Sequence, residues 1–171
     1  MSEIRSIIRR PSAPLAARAA GPTSSSAAEP GALRYLDASA LVKRYVAEPG
    51  AEPVRALLSG GLLATARITE VEVASALARR CREGFLAPPE RERALVALRR
   101  DLAQLFVVEL SPEVVSRGVA LLSRLPLRAA DAVQLASCLE LRDRLEVPCL
   151  FVCCDERLLA AARQEGLATA P

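Results

Sequence analysis

A chain of 171 residues accommodates one ordinary domain plus an extension, and 51% hydrophobic residues suffice for a core; the 3% aromatic share and the abundance of Ala and Leu favour a helix-rich fold. The formal net charge is +3, of which +2 belongs to the first thirty residues (Arg5, Arg9, Arg10 and Arg18 against Glu3 and Glu29), so bulk charge on residues 31–171 is no argument for nucleic-acid binding. The absence of His excludes the common Ser-His-Asp and Cys-His catalytic sets, and five Cys without a C-x-x-C pair argue against a zinc site and suit a reducing cytoplasm.

Residues 1–30 are dominated by Pro, Ala, Ser and Gly and never settle into an apolar period, which reads as a disordered or over-long extension ahead of a domain over 31–171. Ser6-Ile7-Ile8 is cut short by Arg9, so no signal-peptide core forms, and no apolar run approaches the ~20 residues of a membrane span. Leu33–Leu36 reads as a short buried strand ending at Asp37. Ala40–Val46 and Pro53–Leu58 read as helices separated by Glu48-Pro49-Gly50, and Leu62–Ala66 as a second strand. Helices are predicted over Ile68–Arg82 and Pro88–Gln104, then a strand over Phe106–Leu110. Ser111-Pro112-Glu113 has the cap and first-turn Pro of a helix start. Arg128–Leu145 is a further helix, Cys149–Cys154 a buried strand, and Asp155–Gln164 a helix stopped at Gly166. Cys138, Cys149, Cys153 and Cys154 sit in apolar runs and look like small core residues.

Short apolar strands alternating with helices predict an α/β layer fold around a parallel sheet, in which ligands sit at the carboxyl ends of the strands. Asp37 and Asp155 both end a strand and open a helix, so each is a site candidate and equally a helix N-cap. Asp131 heads an apolar stripe (Leu135, Cys138, Leu139), where an ionised carboxylate is costly unless paired, although a helix-start acid fits the same position. Glu70 and Glu72 are separated by roughly 200° on a helix and cannot share one site; periodicity does not choose between them.

Four blocks are more specific: Leu36-Asp37-Ala38-Ser39-Ala40-Leu41-Val42-Lys43, Glu72-Val73-Ala74-Ser75-Ala76-Leu77-Ala78-Arg79, Leu127-Arg128-Ala129-Ala130-Asp131-Ala132-Val133-Gln134-Leu135-Ala136, and Cys154-Asp155-Glu156-Arg157-Leu158 with the Ala-rich helix behind it. In this order they resemble the acidic blocks of PIN domains, in particular the VapC-like toxins of bacterial toxin–antitoxin pairs, over about residues 33–168. The resemblance implies a three-layer α/β/α fold with a short central parallel sheet and many helices, and an Mg²⁺- or Mn²⁺-dependent endoribonuclease with Asp37, Glu72, Asp131 and Asp155 as its acids and Ser39 supporting the first. It selects Glu72 over Glu70, and it implies a homodimer held inactive by an antitoxin. Two positions depart from the family pattern: Cys153 and Cys154 replace a common Thr or Ser, which would loosen support of the metal site, and Gln134 replaces a frequent His, which would affect packing more than chemistry.

Clustered carboxylates resist ionising together, and a hard divalent cation relieves that repulsion while acidifying a water for attack at phosphorus. Asp37, Asp131 and Asp155 are the expected direct ligands, with Glu72 acting through water. Lys43, Arg44, Arg79 and Arg80 are candidate contacts to RNA phosphates, or else solvated helix charges. A receiver-like phosphoacceptor would want a Lys late in the sheet, and Lys43 is the only Lys; a haloacid-type phosphatase would want Asp-x-Asp where Asp37-Ala38-Ser39 stands. The remaining rival is a PIN-like domain that binds RNA or protein without cutting.

Overall fold

The computed structural model describes residues 7–11, 33–46, 50–58 and 61–171. Six strands form one sheet: β1 (Ile8–Arg9), β2 (Leu33–Leu36), β3 (Leu62–Ala66), β4 (Phe106–Val108), β5 (Cys149–Val152) and β6 (Ala168–Ala170), in the spatial order β1-β4-β3-β2-β5-β6. All neighbours are parallel except β1, which runs antiparallel to β4. The helices, among the described residues, are α1 (Ala38–Leu41), running into a 3-10 turn over Val42–Arg44, α2 (Ala51–Leu57), α3 (Thr69–Arg82), α4 (Pro88–Leu102), α5 (Pro112–Leu122), α6 (Ala129–Leu145) and α7 (Glu156–Gln164). None is long and apolar enough to cross a membrane.

Two cores flank the sheet. Strand residues alternate between them, because successive side chains of a strand point to opposite faces. Tyr35 of β2 and Phe151 of β5, partners in register, stack at 5.7 Å on one face, with Leu135 and Leu139 of α6 and Leu158 and Leu159 of α7. Leu36 and Val152 face the other way, onto Leu41, Val54, Val73, Leu77 and Leu98 from α1 to α4. This is the predicted α/β/α architecture. β2 and β5, buried on both sides, carry the near-continuous apolar runs expected of inner parallel strands. α5 and α6 approach closely at Gly118, where an added Cβ would lie 3.8 Å from Ala132 O. Ser111 caps α5 as expected, accepting from Val114 N at 3.3 Å.

Three expectations are corrected and one element is added. Residues 1–30 do not lie wholly outside the fold: Ile7 and Ile8 are buried, Ile8 and Arg9 pair with Val108 and Val107, and Arg9 Nη2 donates to Leu102 O at 2.8 Å. Two apolar residues suffice there because β4 offers an open edge and an apolar neighbour. Residues 1–6 and 12–30 lie outside the described residues. Past Gly166, where no further element was predicted, β6 completes the opposite edge of the sheet. The segment after Asp37 is one helical turn tightening into 3-10, not a continuous helix from Ala40 to Val46. Finally, Cys138, Cys149 and Cys153 are buried as expected but Cys154 is exposed, because β5 ends at Val152 and the chain turns outward.

Candidate active site

Asp37 is the residue at which β2 leaves the sheet; its amide still bonds Val152 O of the neighbouring strand at 2.9 Å. Extended backbone makes it the N-cap of α1, and Oδ2 accepts from Ser39 N at 2.9 Å and Ser39 Oγ at 2.6 Å. Cys153 Sγ lies 3.5 Å from the same oxygen. Ser39 Oγ in turn accepts from Cys154 N at 2.9 Å, so one hydroxyl ties the end of β2 to the end of β5. Asp37 is only 5% exposed. Burial pushes its carboxyl above the ordinary aspartate range, against the pull of the Ser39 bonds.

Asp155 is the equivalent residue one strand over. As N-cap of α7 its Oδ1 accepts from Arg157 N at 2.8 Å and Leu158 N at 3.2 Å, and Oδ2 faces the Arg157 guanidinium at 3.5 Å. Partial burial acts upward on this carboxyl, but the two amides and Arg157 outweigh it and hold it below the usual range. Asp131 stands in the first turn of α6, its Oδ2 accepting from Arg128 N at 3.3 Å. In all three cases helix capping and membership of the site coexist: a cap grips part of the carboxylate and thereby fixes its direction.

Glu72 projects from the first turn of α3, where Oε2 accepts from Gln134 Nε2 at 2.6 Å. Burial raises its pKa, the Gln134 bond lowers it, and the charges of Asp37 and Asp131 raise it further, for a net upward shift. Glu70 faces elsewhere, 3.7 Å from Arg67 and 3.8 Å from Arg99.

Asp37, Glu72, Asp131 and Asp155 all line one open cleft at the carboxyl edge of the sheet. They flank it without converging: among the described residues no three carboxylates or thiols are packed tightly enough to hold a single ion. Lys43, Arg79 and Arg80 line the same cleft, joined by Arg82 and Arg128, which the sequence alone did not single out. Arg82 follows Arg79 at i+3 on α3, a spacing that would have marked it. Arg44 is the exception: its Nε is 2.6 Å from Asp101 Oδ2, outside the cleft. In a 3-10 turn consecutive side chains diverge by about 120°, so Lys43 and Arg44 cannot face the same way. Nor is Gln134 mere packing, since it is fully buried and bonded to Glu72, Thr69 and Tyr35. Cys153 also holds the site together locally, its sulfur accepting from Asp155 N at 3.2 Å while touching Asp37.

A PIN-domain family model matches residues 34–164, the segment that carries the cleft. The chain belongs to the PIN-domain family and is VapC-like within it. It is 32% identical over 141 residues to Ribonuclease VapC47 of Mycobacterium tuberculosis, covering 80% of this chain and 94% of that protein. In three dimensions it resembles the sarcin-ricin loop cleaving toxin VapC20 of Mycobacterium tuberculosis, with a TM-score of 0.57 at 16% identity over 75% of this chain and 94% of that one. FitAcB of Neisseria gonorrhoeae is similar as well, with a TM-score of 0.56 at 17% identity over 81% and 96% of the two chains.

Proposed function

We propose that this chain is a metal-dependent endoribonuclease that hydrolyses RNA phosphodiesters and serves as the toxin of a toxin–antitoxin pair. The observation that carries the proposal is that Asp37, Glu72, Asp131 and Asp155, from four separate stretches of chain, all line one cleft whose other charged groups are cations. The 32% identity to a ribonuclease supports RNA as the substrate.

The donor set fits Mg²⁺ or Mn²⁺ in kind. It is anionic, all oxygen, and contains in Glu72 a carboxylate raised chiefly by burial and further by the charges of Asp37 and Asp131, a repulsion that a divalent charge relieves. Because the four acids do not converge on a single point, they would hold one or two ions with water completing the shell, Asp37, Asp131 and Asp155 more directly and Glu72 through water. When bound, such a cation acidifies a water and neutralises charge developing at phosphorus. The protein's own contribution is positional. Ser39 and the Cys154 amide fix Asp37, the start of α7 fixes Asp155 in its ionised form, and Gln134 fixes Glu72. Lys43, Arg79, Arg80, Arg82 and Arg128 supply the positive field that draws a polyanion over the acids.

Replacing Asp37 by Asn retains an acceptor for Ser39 while removing the charge. Cleavage of RNA in Mg²⁺ should vanish in this variant and in wild type treated with EDTA, with circular dichroism unchanged; undiminished cleavage in either sample would defeat the proposal. The loose spacing of the acids favours one rival, a PIN-like domain that binds RNA or protein without cutting. That rival predicts RNA binding with no EDTA-sensitive cleavage. A homodimer and a cognate antitoxin belong to the same proposal. Co-purification with the product of an adjacent small reading frame, and loss of cleavage in that complex, test them.

A further inference from the structure

Resting on that reading, we infer that Gln134 is a positioning residue of the site: its buried side-chain amide aims the Glu72 carboxylate into the cleft and fixes it relative to Asp37. Gln134 is 0% exposed and sits three residues beyond Asp131 on α6. Its Nε2 donates to Glu72 Oε2 at 2.6 Å and to Thr69 Oγ1 at 2.8 Å, and its Oε1 accepts from Tyr35 OH at 2.9 Å. One side chain therefore joins α6, which bears Asp131, to α3, which bears Glu72, and to β2, two residues before Asp37.

The chain of bonds has a defined direction. Thr65 Oγ1 donates to Leu36 O, the carbonyl immediately before Asp37, at 2.7 Å, so the 2.7 Å contact between Thr65 and Thr69 must use the Thr69 proton. Thr69 can then only accept from Gln134. Tyr35 donates to the amide oxygen, which orients the amide and commits both of its N–H bonds, one to Thr69 and one to Glu72. A neutral amide suits this place because it is a double donor that brings no second charge beside Glu72. In a buried network every member is at once satisfied and constrained, so deleting the central amide removes a partner from Tyr35, Thr69 and Glu72 and frees Glu72 to turn. Outer partners of this sort typically alter metal affinity or turnover by about 10–100-fold.

The test uses the full chain and Mn²⁺ alone as probe, read by titration calorimetry or electron paramagnetic resonance, beside RNA cleavage kinetics. Gln134→Met keeps the volume and removes both donors. We expect about tenfold weaker Mn²⁺ binding and a fall in kcat of the same order, with KM for RNA unchanged. Tyr35→Phe keeps the ring on Phe151 and removes only the hydroxyl that orients the amide; it should move both quantities in the same direction by a smaller factor, and it carries the test should Gln134→Met fail to fold. Wild-type Mn²⁺ affinity in folded Gln134→Met, or in Tyr35→Phe where only that variant folds, overturns the inference and leaves the nuclease reading standing. Failure of wild type itself to bind Mn²⁺ overturns the metal site and the positioning role with it.

Discussion

Arg44 and Asp101 form an ion pair that clamps the turn following Asp37 to the end of α4: Arg44 Nε lies 2.6 Å from Asp101 Oδ2, and the Asp101 side chain is 6% exposed against 34% for Arg44. Tyr45 OH adds a bond to the same oxygen at 3.2 Å. Truncating the arginine strands a buried carboxylate. Arg44→Met should therefore lower stability by about 1–3 kcal/mol, below the full cost of breaking a buried pair because Tyr45 and Arg100 remain. RNA cleavage at a temperature where the variant is folded should persist. Urea denaturation read alongside cleavage rate checks both halves.

Removing cleft cations should act on affinity and leave stability alone. Arg79→Ala, Arg82→Ala and Arg128→Ala should each weaken RNA binding, and the slope of log affinity against log salt should fall by about 0.7 for each single-strand phosphate that the protein ceases to neutralise. Filter binding in a catalytically dead background such as Asp37→Asn, over roughly 50 to 200 mM salt, supplies the slope. An unchanged slope in all three variants would place the RNA elsewhere.

Asp37 gives a pH signature. Its carboxyl is raised in the folded protein, so between the ordinary aspartate range and the raised value the native state binds more protons than the unfolded one, and this group makes stability fall as pH rises through that window. Asp37→Asn lacks the burden. Its stability relative to wild type should grow with pH across the window and level off above it in metal-free buffer. Saturating Mn²⁺ should shrink the difference by stabilising only the wild type. A stability difference that does not change with pH across that window in metal-free buffer contradicts this account.

The thiols divide sharply by access. Cys138, Cys149 and Cys153 are buried, and burial together with the charge of Asp37 drives the Cys153 thiol far upward, which keeps it protonated and inert. Cys154 is exposed and lines the cleft. Brief treatment of the native protein with iodoacetamide should label Cys154 ahead of Cys81 and spare the other three, as read by peptide mass spectrometry. Cleavage should decline in step with Cys154 labelling.

The edge strand at Ile7–Arg9 should contribute measurably. Ile8→Ala removes a side chain that is 5% exposed against β4, and a destabilisation of about 2 kcal/mol is expected, at the low end for a buried isoleucine because the strand lies at the sheet margin. Thermal unfolding checks it.

The inner strands were legible in the sequence because a parallel strand covered on both faces leaves an unbroken apolar run, as at Leu33–Leu36 and Cys149–Val152. An Asp directly after such a run announced the carboxyl edge of the sheet, which is why Asp37 and Asp155 could be placed together. β1 and β6 were hidden for the complementary reason. Two isoleucines beside Arg9 show no period, and Ala168-Thr169-Ala170 has little strand preference; both segments are ordered by an available sheet edge. The choice of Glu72 over Glu70 rests on resemblance, and the different surroundings of the two acids appear only in three dimensions, where Gln134 meets Glu72 and Arg67 and Arg99 meet Glu70. The same limit applied to Arg44, whose partner Asp101 is 57 residues away in sequence.

Because β2 and β5 run in register from Leu33 beside Cys149 to Leu36 beside Val152, the exposed residues Glu146, Val147 and Pro148 enter the sheet at its far margin, a strand length of roughly 13 Å from the acids. A dye, an affinity tag or a grafted domain attached at this turn would hang from the back of the molecule. Fluorescence reporters of the proposed RNA binding can thus be mounted without shading the mouth of the cleft.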